Sequence, residues 1–115
     1  MEQSCLFCRI AAGAIPARLA YEDDEVMAFH DIDPRAPVHV LIIPREHVAS
    51  VNDITAEHAT LIGRMYVAAK QIAGELGVSD SGYRLVMNCG GDAGQTVDHI
   101  HLHILGGRPL KWPPG

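Results

Sequence analysis

Over Asp98–Leu105 the chain reads D-H-I-H-L-H-I-L, so that His99, His101 and His103 alternate with Ile100, Leu102 and Ile104. An extended chain sends successive side chains to opposite faces, which puts three imidazoles on one face and three aliphatic groups on the other. A half-buried strand needs no row of titratable rings to fold, so this face is expected to do chemistry. Metal binding is one possibility, because His-x-His offers two nitrogens to zinc. At ~3.3 Å per residue the outer two Cα atoms lie ~13 Å apart, too far for all three rings to share an ion with Zn–N bonds of ~2.0–2.1 Å. The other is nucleophilic and acid–base catalysis. Neutral imidazole attacks phosphorus, and histidine titrates near neutral pH. The connection before the histidines, C-G-G-D-A-G-Q-T-V over 89–97, supports this second chemistry. Gly90, Gly91 and Gly94 let backbone N–H groups approach an anion, with Gln95 and Thr96 as further donors, so the loop reads as a phosphate cradle.

The totals bound what can hold this strand. With 115 residues the chain is expected to be one domain, 1–115, with its own core. Its 48% hydrophobic and 20% charged residues are ordinary for a globular protein. A net charge of -5 argues against a nucleic-acid polymer as partner but leaves room for one small phosphorylated ligand. No apolar run reaches the ~18–20 residues of a membrane span, and the N-terminus lacks a signal-peptide pattern, so no membrane association and a cytoplasmic location are expected. Three cysteines, Cys5, Cys8 and Cys89, are an odd number and argue against a secreted disulfide framework. Cys5 and Cys8 have the C-x-x-C spacing of metal and redox sites.

The elements that must position these groups follow from pattern. Residues 4–13 suit a short helix, with Ser4 as N-cap and Gly13 as its stop. Arg18–Glu22 and Val26–Ile32 read as a strand hairpin around the acidic turn at 22–24. Asp33–Pro37 is a proline-restrained loop. His39–Pro44 is a near-continuous apolar run, hence a central strand buried on both faces, with His39 its one polar residue. The long helix runs from Thr55 to about Leu76, capped by Asp53 or Thr55 and ended by Gly77. Gly63 and Gly74 inside it suggest close packing on the sheet. Tyr83–Asn88 is a further strand, and the order indicates an α+β domain with an antiparallel sheet.

The run Gln95–Leu105 followed by Gly106-Gly107-Arg108 resembles the histidine-triad (HIT) signature, H-φ-H-φ-H-φ-φ with φ apolar. Ile15-Pro16-Ala17, Ala28–Ile32, Pro37-Val38-His39, Ile43-Pro44 and the ending Trp112-Pro113-Pro114-Gly115 are similar to the Hint branch of that family, so the resemblance spans nearly the whole chain. It implies a HIT-like fold, a five-stranded antiparallel sheet with one long and one short helix. Two such sheets would join into ten strands across a homodimer, and the tail 108–115 would contribute to the dimer and its sites. It further implies hydrolysis of purine nucleoside 5′-phosphoramidates, with no organic cofactor. By the same resemblance His101 would be the nucleophile, forming a covalent nucleotidyl-histidine that water releases as the monophosphate. His39 would position that ring, and His103 would contact the phosphate and support proton transfer to the leaving amine. Asp31 would bind the ribose hydroxyls, with Phe29 and Ile32 flanking the base. Asn88, Gly94, Gln95 and Thr96 would line the phosphate side, and Trp112 would reach the partner subunit's site. Thr96 stands where this branch commonly has serine, and the resemblance gives Asp98 no role. Some bacterial-type relatives hold structural zinc, and the matching positions here are Cys5, Cys8, His47 and His99. Three other readings stay open from the residues: a nucleotide-binding regulatory module, a dinucleotide polyphosphate hydrolase, and a hydrolase with zinc at the triad.

Overall fold

A computed structural model of the chain describes residues 4–115; the first three residues of the expected domain lie outside the described residues. Five antiparallel strands, β1 (Leu19–Glu22), β2 (Val26–His30), β3 (Val38–Pro44), β4 (Tyr83–Val86) and β5 (Leu102–Gly106), form one sheet in the order β1-β2-β3-β5-β4. The short helix α1 (Leu6–Ala11) covers one face and the long helix α2 (Ala59–Glu75) the other. The fold is the expected α+β arrangement, a five-stranded antiparallel sheet with one long and one short helix.

Strand alternation sorts the core into two layers. Val26, Ala28, Val40, Ile42, Leu102 and Ile104 face Met65, Ala68, Ala69 and Ile72 of α2. Met27, Phe29, Leu41 and Ile43 face Phe7 and Ile10 of α1. Because β3 lies between the two layers, its residues from His39 to Pro44 are all buried, which explains its lack of alternation. Full burial of each large aliphatic there contributes roughly 1.5–3 kcal/mol.

Several boundaries differ from the sequence expectation, each for a local reason. Cys5, not Ser4, caps α1, its Sγ accepting from the Cys8 N–H at 3.4 Å. Helix α2 begins at Ala59 rather than Thr55, because Val51–Asp53 and Ala56–His58 are tight 3-10 turns. The second turn is closed by the Thr55 N–H donating to His58 Nδ1 at 2.9 Å. A Cβ on Gly63 would meet nothing within 4 Å, and one on Gly74 would only touch Ser79 Oγ at 3.6 Å, so sheet packing does not account for either glycine. Gly107, by contrast, has φ +90° and a Cβ there would sit 2.9 Å from Pro37. Glycine is therefore required where β5 turns away past the 33–37 loop.

The histidine stretch is the most instructive difference. β4 stops at Val86 rather than Asn88, and β5 starts at Leu102 rather than Asp98. Ile42 opposes Leu102, and two residues further along β3 comes Pro44, which has no N–H to give a ladder. The Ile100 N–H instead donates to the Val48 carbonyl at 2.8 Å. The alternation still holds across this break: Ile100, Leu102 and Ile104 all pack in the α2 layer.

Candidate active site

The register of β3 and β5 creates the first polar contact of the site. Leu41 opposes His103 and His39 opposes Leu105, which puts His39 and His103 on a diagonal of one sheet face. His39 Nε2 and His103 Nδ1 lie 2.9 Å apart. The direction of this bond is settled upstream, in the 33–37 loop. The Arg35 backbone N–H donates to His39 Nδ1 at 3.0 Å, so the proton of neutral His39 is on Nε2. That N–H donates to His103 Nδ1, with Asp31 Oδ2 also 3.4 Å from it. His103 then carries its proton on Nε2, a buried atom with no hydrogen-bond partner among the described residues. A buried N–H without an acceptor, at the wall of a cavity, is a donor open to whatever group the cavity takes.

His101 is oriented by a different backbone group. Its Nδ1–H donates to the His99 carbonyl at 2.8 Å, which leaves the Nε2 lone pair unprotonated. The rings of His101 and His103 are 5.0 Å apart, and the Phe7 ring meets His101 edge-on at 5.0 Å. His39 was expected to position the nucleophile's ring; it hydrogen-bonds His103, and the His99 carbonyl holds His101 instead.

A cavity of about 300 Å³ opens between α1 and the sheet, walled by Phe7, Phe29, Asp31, Ile32, His101 and His103 among others. Thr96 also lines it, and Ile32 is 101% exposed at its edge. Of the expected substrate residues, Asn88, Gly94, Gln95 and Trp112 are not in its wall. The glycine loop is less of a cradle than its composition suggested. The Gly94 and Gln95 N–H groups donate to Gly91 and Gly90 carbonyls inside the loop. The Gln95 amide donates to the Ala49 and Val97 carbonyls at 2.8 and 3.0 Å and accepts from the Gly90 N–H at 2.9 Å. With both donors spent, Gln95 is a clasp for the loop rather than the expected phosphate donor. Gln95→Ala is expected to cost about 1–3 kcal/mol in urea unfolding by orphaning these backbone groups, and Gln95→Glu, which has no donors, should not restore it.

Phe7, Leu6, Ile10 and His30 line the cavity without having been picked out as site residues. The caps at 4–13 pointed to a short helix, but not to which cavity it would close.

Burial is the main force on the titration of His39 and His103. It lowers the pKa of His39, opposed by Asp31. It pushes His103 down to about 4, with His101 and His39 adding to the effect and Asp31 opposing. A histidine in the unfolded chain titrates near 6.5. Between about pH 6.5 and 4 the unfolded chain therefore binds a proton that native His103 refuses, so stability is full above that window and falls on acidification. The His103 contribution is about 3 kcal/mol. Urea midpoints at about pH 7 and 5 should show roughly 2 kcal/mol of this drop, and His103→Asn should flatten it.

His99 plays no part in the cavity wall. It is fully buried, and its ring faces Cys5, Cys8 and His47. Its Nε2–H donates to the Pro44 carbonyl at 2.8 Å, so Nδ1 presents a lone pair to the cluster. From that Nδ1, Cys5 Sγ is 3.4 Å away, Cys8 Sγ 3.5 Å and His47 Nδ1 3.2 Å. Cys8 Sγ lies 3.3 Å from His47 Nδ1. A tetrahedral ion with Zn–S of ~2.3 Å and Zn–N of ~2.05 Å requires S···N edges of ~3.6 Å and an N···N edge of ~3.3 Å. The four atoms fit such an ion, and the Pro44 carbonyl supplies the usual outer partner of a metal-bound imidazole.

The comparisons with known proteins agree with this architecture. The HIT domain family model matches residues 12–110. The purine nucleoside phosphoramidase of Escherichia coli strain K12 is 48% identical over 110 residues, covering 96% of this chain and 92% of that one. A crystal structure of a HIT family hydrolase from Legionella pneumophila Philadelphia 1 superposes with TM-score 0.95 at 50% identity, covering 96% of this chain and 99% of that one. A histidine triad protein from Clostridium difficile gives TM-score 0.94 at 42% identity, with 96% of each chain covered.

Proposed function

Since the chain belongs to the HIT domain family and is an enzyme of its hydrolase type, we propose that it cleaves the P–N bond of purine nucleoside 5′-phosphoramidates through a nucleotidyl-His101 intermediate. The observation that carries this reading is the paired tautomers: a bare His101 Nε2 beside an orphaned His103 Nε2–H, both at one cavity.

The apolar part of the cavity, with Phe29 and Ile32, takes the base, and Asp31 takes the ribose hydroxyls. The phosphoryl group then sits at the histidine end, where His103 Nε2–H gains its missing acceptor. His101 Nε2 attacks phosphorus and the P–N bond breaks, the amine leaving with a proton from the site. Attack makes the His101 ring cationic, and its Nδ1–H bond to the His99 carbonyl strengthens as that charge develops. Water attack at phosphorus then returns the ring to its resting tautomer and gives the nucleoside monophosphate. Phosphate bound beside His103 raises its pKa again, which suits it to hold and return a proton. Incubation with adenosine 5′-phosphoramidate should release AMP and ammonia, and no release would sink the reading.

Cys5, Cys8, His47 and His99 would hold a structural zinc ion, supported by the donor set and its edge lengths. Bound there, zinc supplies a cross-link between α1 and the segment leading to β5. Three features support a homodimer: β4 is a sheet edge, and Tyr66 and Val67 of α2 and Trp112 of the tail are exposed apolar groups. Sedimentation should give twice the chain mass; a monomer at micromolar concentration would contradict it. Trp112 would then act at the partner's cavity, consistent with its place outside the wall of its own. No helix among the described residues is long and apolar enough to cross a membrane.

A further inference from the structure

The C-x-x-C pair is placed for a second chemistry. Cys5 and Cys8 are the cap and third residue of α1, a spacing that puts their Cα atoms ~5 Å apart in helical geometry. Disulfides form at Cα separations of ~4.4–6.8 Å. The two Sγ atoms already lie within 4.8 Å of each other. Their accessibility differs in the way an attacking and a resolving thiol require. Cys8 is 2% exposed, whereas Cys5 is half-buried and lines an outer cleft with His47, Thr96 and Asp98.

The pair is also mechanically joined to the cavity. Leu6 and Phe7, the two residues between the cysteines, both line it. Phe7 meets His101 edge-on at 5.0 Å and His99 at 5.9 Å. His99 faces both sulfurs with its ring and holds His101 with its carbonyl. Closing an S–S bond of ~2.05 Å draws both sulfurs out of the cluster, tightens the first turn of α1 and displaces Phe7. It also removes the partners that fix the His99 ring.

We propose that Cys5 and Cys8 form a reversibly oxidisable dithiol, and that its oxidation by hydrogen peroxide weakens nucleotide binding through Phe7 and His99. Cys5 sulfur attacks the peroxide oxygen, forming a sulfenic acid as the O–O bond breaks and water leaves. Cys8 sulfur attacks that sulfenic sulfur, forming the disulfide and expelling a second water. Two thiols are oxidised by two electrons and one peroxide is reduced to two waters; any ion held by the sulfurs is released. A dithiol reductant reverses the step. This inference rests on reading the cavity as a nucleotide site, and the two can fail separately.

The test uses full-length Cys89→Ser protein as purified, so that only this pair can close. AMP binding is measured by calorimetry before and after stepwise hydrogen peroxide, and again after dithiothreitol. The expected result is a mass loss of about 2 Da with both thiols blocked to alkylation, a cooperative melt, and AMP affinity weakened about fivefold or more and restored by reductant. In Phe7→Leu protein the ratio of oxidised to reduced affinity should move towards one. The inference is overturned if the pair stays alkylatable, if the disulfide forms and AMP binds as before, or if the oxidised protein has no cooperative melt. Failure of the reduced protein to bind AMP would instead overturn the nucleotide reading itself, before any oxidant is added.

Discussion

His101→Ala protein is expected to lose phosphoramidate turnover by about 10⁴-fold or more in kcat/KM, as removal of a nucleophile does when no neighbour can replace it. None can here. His103 spends Nδ1 on His39 and carries a proton on Nε2, His39 accepts the Arg35 N–H, and His99 lies in the Cys/His cluster. The loss should be chemical rather than structural. His101 projects to the cavity side of its segment, while Ile100, Leu102 and Ile104 hold the strand from the α2 layer. A far-ultraviolet dichroism spectrum and melting curve near those of the parent should accompany the loss, and AMP should still bind. Residual turnover within tenfold of the parent would take the nucleophile's role from His101.

Removing the proposed zinc ion should instead act on stability. An ion held at about a thousand times its Kd contributes about 4 kcal/mol to the folded state, and in a domain of this size that corresponds to roughly 15 °C in Tm. The reason lies in α1. At six residues it is too short to be stable alone, and it is held by Phe7 and Ile10 and by the Cys5–Cys8–His47–His99 cluster. Chelation, or Cys8→Ser, should lower Tm by about that amount. Activity assayed well below the new Tm should fall far less than in His101→Ala. An unchanged Tm with abolished turnover would mean that the ion takes part in the reaction and is not structural.

Much of this was legible in the chain itself, because it depends on local spacing. Period-two alternation at 99–104 separates imidazoles from aliphatics whatever the ladder does: the aliphatics pack in the α2 layer, while His101 and His103 line the cavity beside α1 and His99 faces the cysteines. The apolar run at 39–44 announced a strand buried on both sides, with one histidine needing a partner. The ~13 Å span of the triad already kept a single ion from taking all three rings. Boundaries were less legible. The break in β5 depends on Pro44 of the paired strand β3, far away in sequence, and the late start of α2 depends on a His58 side chain closing a turn.

What the tertiary structure alone decided is which nitrogen of each histidine is available. Spacing cannot assign tautomers, because those of His99 and His103 are set by groups distant in sequence: the Pro44 carbonyl for His99, and His39, itself fixed by the Arg35 N–H, for His103. His101 takes its proton position from the His99 carbonyl, two residues away, but only because the chain there has left the sheet ladder. The same holds for Gln95, whose type suggested a phosphate donor until its donors proved spent on Ala49 and Val97. Residue types and their spacing determined that imidazole chemistry would occur on one face of one strand. The folded backbone and the contacts it brings together determined which nitrogen of each ring is bare, which carries a proton and which ring lies among the sulfurs, because a proton's position is a property of the pair and not of the residue.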